Sequence, residues 1–173
     1  AQYSADAFKE ILKVQGVDVN AKNKLGETAL MEAARGQSPE PLRLLLGTKR
    51  VKVNARNKCG DTALMLAAQY SPESLKILAS MHGIDFNAKT EEGWTALMEA
   101  AFWGRSESVK KLLEFEDIDV GVENSAGRTA LGYAVESDMG DDILHAFFSR
   151  RKLSEDELAA IEKTTNRSIR ESY

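Results

Sequence analysis

Cys59 is the only cysteine in the chain, so no internal disulfide can form and one chain cannot assemble a thiolate zinc cluster. Histidine is almost as scarce. His82 falls in the link after a helix and His145 within a helix on its outer face, so neither pairs with a nucleophile. Two histidines and one cysteine also give no ligand spacing for zinc, and no GxxxxGK[ST] segment is present to cradle a phosphate. The Asp141-Asp142 pair opens a helix, where carboxylates complement the helix dipole rather than collect calcium. No catalytic residue, cofactor or metal site is expected. No apolar run approaches the roughly 20 residues that span a bilayer, so membrane insertion is not expected either. Charge of one sign is also missing: 23 basic against 27 acidic residues leave a formal net charge of -4. That balance offers no electrostatic case for nucleic acid or an anionic membrane surface.

What is present suits one ordinary folded domain over residues 1–173, with 43% hydrophobic residues and no compositional sign of disorder. A single cysteine is compatible with a reducing compartment. The start at Ala1 without an initiator methionine fits methionine removal, an artificial boundary or a cleaved signal peptide. The cytoplasm is favoured, with the periplasm or export left open.

Self-similarity carries most of the information. GETALMEAA (Gly26 to Ala34), GDTALMLAA (Gly60 to Ala68), GWTALMEAA (Gly93 to Ala101) and GRTALGYAV (Gly127 to Val135) align without gaps. Their threonines, Thr28, Thr62, Thr95 and Thr129, are 34, 33 and 34 residues apart. A second register agrees: VDVNAKN from Val17, VKVNARN from Val51, IDFNAKT from Ile84 and IDVGVEN from Ile118. A period in this range marks stacked supersecondary units, none of which can bury its apolar face alone.

Over residues 17 to about 152 the pattern resembles the ankyrin-repeat family, whose unit is a β-turn followed by two antiparallel helices with a TPLHxA signature. The resemblance implies an all-α solenoid with short β-turn or hairpin fingers. Its parts would be an N-terminal half repeat (1–16), four repeats (17–152), and a C-terminal capping helix with a tail (153–173). The departures are consistent. Ala-Leu-Met replaces Pro-Leu-His in the first three copies and Ala-Leu-Gly replaces it in the fourth, so the family's histidine hydrogen-bond network is missing.

The residues support the same unit directly. Each threonine can cap the helix that follows it, and the glycine two residues earlier (Gly26, Gly60, Gly93, Gly127) suits a turn at positive φ. SPEPLRLLL from Ser38 and SPESLKILA from Ser71 read as second helices, with serine capping and proline in the first turn. Capping explains these Ser-Pro pairs without phosphorylation. Leu42, Leu44 and Leu45, then Leu75, Ile77 and Leu78, then Val109, Leu112 and Leu113 are the expected inter-repeat core. Ser4 to Gln15 reads as an amphipathic helix with Phe8, Ile11 and Leu12 inward. Ser154 with Glu157 fits a capping box for a last helix to about Lys163.

The resemblance places partners in a concave groove, against the turn residues flanking the glycine and the last residues of the first helix. There the third copy concentrates aromatics: Trp94, Phe102 and Trp103, with Tyr70 from the second and Arg128 from the fourth. Interface hot spots favour these residue types. The competing reading is that Trp94 and Phe102 only pack against neighbouring turns. Glu91 and Glu92, with Glu99, form a candidate acidic rim for a basic partner segment; solvated turn charges are the plainer account. The expected function is non-catalytic protein binding by a monomer. The alternative is a targeting or adaptor module of a larger or exported protein whose chemistry lies elsewhere.

Overall fold

The computed structural model describes residues 2–136, together with Ile143 and residues 145–147. Asp141-Asp142 and the proposed final helix and tail, including Ser154 and Glu157, lie outside the described residues. The chain divides into two compact units, Ala1–Asp85 and Phe86–Tyr173.

In the first unit, α1 (Gln2–Lys13) precedes two helix pairs, α2 (Ala29–Arg35) with α3 (Glu40–Gly47) and α4 (Ala63–Tyr70) with α5 (Pro72–Ala79). Helix α2 packs on α3, α4 and α5, while α1 reaches only α3 among its main contacts. In the second unit α6 (Ala96–Phe102) packs on α7 (Ser106–Leu113) and on α8 (Ala130–Glu136). Among the described residues there is no extended strand, only an isolated antiparallel bridge between Lys22 and Thr28 at the base of a finger turn.

Each first helix starts at its threonine. The hydroxyls of Thr28, Thr62 and Thr95 accept from the amides of Met31, Met65 and Met98 at 3.4, 3.4 and 3.3 Å, a cap typically worth about 1 kcal/mol. The methionines that stand in place of the family's histidine return a contact: the amides of Thr28 and Thr62 each donate to the Met31 and Met65 Sδ at 3.4 Å. A thioether is a weak acceptor, but these sulfurs are buried and close the cap in both directions. In the fourth copy Thr129 Oγ1 accepts from Gly132 at 3.2 Å.

The two Ser-Pro starts behave differently. Ser71 caps α5, accepting from the Ser74 amide at 3.3 Å. Ser38 does not cap α3, whose N-cap is Pro39. The residue aligned with Ser74 is Pro41, which has no N–H to give, so the serine has no donor and the helix opens one residue later.

The core follows the repeat. Leu30, Leu64 and Leu97 are buried in the first helices beside Ala34, Ala67, Ala68, Ala100 and Ala101, whose small side chains let helices approach closely. Leu42, Leu45, Leu75, Leu78, Val109, Leu112 and Leu113 line the second helices, and each fully buried side chain of this size contributes roughly 1.5–3 kcal/mol. Leu44 and Ile77, expected inside, are half-buried. Ile11 is 53% exposed rather than inward: α1 has one main packing partner, so only the narrow stripe of Phe8 and Leu12 is partly covered.

Asparagines join successive repeats. Asn20 Nδ2 donates to the Arg50 carbonyl at 2.9 Å and its Oδ1 accepts from the Lys52 amide at 2.7 Å. Asn54 does the same with Gly83 (2.7 Å) and Asp85 (3.0 Å), and Asn87 with Asp117 (2.6 Å) and Asp119 (2.9 Å). The fourth copy has Gly121 in that column.

Candidate functional site

The finger turns are shaped by one side chain each. Asn23 Oδ1 accepts from the amides of Leu25 (2.8 Å) and Glu27 (3.0 Å), and Asn57 and Asn124 repeat this in the second and fourth fingers. In the third finger Thr90 Oγ1 accepts from the Trp94 amide at 3.0 Å. The turn closes through a glycine at positive φ, +84° for Gly93. In the first and third repeats the residue after the glycine lies against the last residue of the same repeat's first helix, eight positions later.

In the third repeat those two residues are Trp94 and Phe102, whose rings meet edge-on at 5.4 Å and 86°. Trp94 also stacks on Tyr133 of α8 at 4.7 Å and 22°. Phe102 contacts Tyr133 edge-on at 5.4 Å and Trp103 at 5.3 Å. Offset-stacked and edge-on pairs at these separations add about 0.5–1.5 kcal/mol each beyond area burial. Tyr133 is buried and its hydroxyl accepts from Asn124 Nδ2 at 2.8 Å. Trp94 is half-buried, as its packing role requires, whereas Phe102 and Trp103 remain 49% and 47% exposed. The Trp103 indole N–H donates to Glu99 Oε2 at 3.2 Å, which fixes the ring and engages a carboxylate expected on the acidic rim.

Arg128 joins the same cluster, its guanidinium 5.5 Å from the Tyr133 ring centroid. Glu91 and Glu92 are exposed on the third finger, and the Glu92 carbonyl accepts from both the amide (2.9 Å) and the hydroxyl (2.8 Å) of Ser125. Trp94, Phe102, Trp103 and Arg128 are thus brought together, with Tyr133 as the hub that sequence reading did not single out. Its column holds Glu32, Leu66 and Glu99 in the other repeats, so nothing in one copy marked it.

Tyr70 belongs to the first unit. It is 42% exposed and lies over the Arg35 guanidinium at 5.8 Å. Here the paired positions are Glu27 and Arg35, an ion pair at 2.8 Å with Glu27 buried. Hydrogen bonds from Arg35 and then Asn23 hold the Glu27 carboxyl below the ordinary carboxylate range, and the bond to Glu27 raises Arg35 in turn. Among the described residues, no group of three or more His, Cys, Asp or Glu is placed to hold a metal ion, and no helix is long and apolar enough to cross a membrane.

A family model described as ankyrin repeats (3 copies) matches residues 1–90 and again residues 71–153. No curated protein matches the chain.

Proposed function

The chain belongs to the ankyrin-repeat family, and from that premise we propose that it captures a partner protein segment on the third repeat, through Phe102 and Trp103. Ankyrin repeats serve in general as protein–protein interaction modules, and the family is generally non-catalytic. The observation that carries the narrower reading is the pair of large aromatic side chains left about half exposed while locked in place by Trp94, Tyr133 and Glu99. Rigid aromatics lose little conformational entropy on binding, so more of their contact energy appears as affinity. Glu91, Glu92 and Arg128 are the polar surroundings through which the binding segment would be selected, and rim charges of this kind act mainly on association rate and salt dependence. Tyr70, on the first unit, is a separate candidate contact.

The test is affinity capture from source-cell lysate with wild type and a Phe102→Ala/Trp103→Ala variant. Truncating two hot-spot aromatics removes about 2 kcal/mol or more apiece, so a specific partner should be lost while the melting profile changes little. Equal capture by both proteins, or a variant that unfolds, assigns the two side chains to the scaffold.

A further inference from the structure

Charge is unevenly divided along the chain. Residues 1–85 hold twelve Lys and Arg against nine Asp and Glu, whereas residues 86–173 hold eleven against eighteen. The basic excess is concentrated in the finger turns of the first two repeats, where Lys22, Lys24, Lys52, Arg56 and Lys58 are all exposed.

The repeat spacing places these side chains next to one another. Lys22 and Arg56 occupy one column and Lys24 and Lys58 another, and the two fingers pair edge to edge. The Lys58 amide donates to the Leu25 carbonyl at 3.1 Å, and Lys22 Nζ donates to the Arg56 carbonyl at 2.7 Å. A Cβ on Gly26 would lie only 3.2 Å from Lys58 Cγ. Asn20, holding the Lys52 amide at 2.7 Å, ties the next stretch of the surface to the same edge. Of the carboxylates nearest in sequence, Glu27 is buried and neutralised by Arg35. Asp61 and Asp18, which accept from the neutral Asn57 side chain and Asn20 amide at 2.9 Å, keep their charge and leave the basic side chains in excess. Like charges held side by side cost energy that an opposing anion relieves. In the third repeat the Lys24 and Lys58 column becomes Glu91 while the Lys22 and Arg56 column continues as Lys89, so two basic columns side by side belong to the first two fingers.

We propose that the paired finger turns of the first and second repeats are a docking surface for an acidic polypeptide segment. It is distinct from the aromatic surface of the third repeat and does not depend on it. A short run of carboxylates matches the patch. A long polyphosphate chain gains affinity by neutralising many phosphates, more than a patch of these five side chains can engage.

The experiment is fluorescence anisotropy with a short labelled oligoglutamate, set against oligoglutamine of equal length and oligothymidylate of equal charge. Wild type should bind oligoglutamate in low salt, lose it steeply as salt rises, and ignore oligoglutamine. Lys24→Glu/Lys58→Glu should bind it about tenfold more weakly, four unit changes in charge each acting at the strength of an exposed pair. Lys24→Gln/Lys58→Gln should show a smaller loss in the same direction if charge reversal disturbs the melt. Phe102→Ala/Trp103→Ala should bind like wild type. No binding, equal affinity in wild type and both lysine variants, or tighter binding of oligothymidylate would overturn the proposal, the last by assigning the surface to nucleic acid.

Discussion

Replacing Gly93 with alanine tests how closely the third and fourth fingers approach. At φ +84° a side chain costs about 1–2 kcal/mol from backbone sterics alone. The new Cβ would also lie 2.9 Å from Asn124 Cα and 3.3 Å from the Ser125 amide nitrogen. Both are backbone atoms, so the fingers must part. The bonds that run between them, from the Ser125 amide and hydroxyl to the Glu92 carbonyl, would then stretch, each worth about 1 kcal/mol net. The expected loss is about 3–4 kcal/mol, taking the strain and both bonds together, and valine, with its branched Cβ, should do worse. Gly16 supplies the reference: its φ is +88°, and nothing lies within 4 Å of a Cβ built there. Gly16→Ala therefore carries the strain without the collision, about 1–2 kcal/mol. Urea unfolding followed by tryptophan fluorescence suits the Gly93 variant, because both tryptophans, Trp94 and Trp103, lie in the third repeat, while circular dichroism follows both variants. Equal losses in the two would refute the close approach.

Glu27→Gln should make the stability of the first unit less dependent on acid. The folded carboxyl titrates below its ordinary 4.5, so its contribution is complete above that value and disappears as pH falls through the lowered one. The melting gap between wild type and variant, about 1 kcal/mol at neutral pH given the partial exposure of Arg35, should close in acid; a gap independent of pH would contradict the linkage. Asn87→Ala removes the bonds to Asp117 and Asp119 and should cost about 1–2 kcal/mol in urea unfolding. A change within a few tenths would mean that these bonds merely replace water.

Repeat period, threonine caps and turn glycines were legible in the sequence because each depends on a local rule applied four times over. What escaped depended on a neighbour. Ser38 matches Ser71 as a cap until one asks who donates to it, and the answer, Pro41, lies three residues on. Ile11 has the spacing of an inward residue, but how much of α1 is covered depends on how many helices reach it. Tyr133 was invisible as a site residue because its role arises from the preceding finger: Trp94 stacks on it only when the third and fourth repeats are adjacent. Its hydroxyl is satisfied by Asn124, a turn residue whose pairing no single motif announces. The methionine sulfurs show the reverse case, a departure from the family pattern that looked like a lost interaction and is a replaced one.

The eight-residue coupling between finger and helix end has a consequence for how such a chain can change over generations. Glu27 meets Arg35 as ions, and Trp94 meets Phe102 as rings, on the same backbone frame. These two repeats thus each carry a two-residue cassette whose members satisfy one another, and the buried leucines and alanines beneath have no stake in its chemistry. A double replacement in one cassette can exchange an ionic surface for an aromatic one while the scaffold is inherited unchanged, and the intermediate with one partner altered is the only step at which stability is exposed.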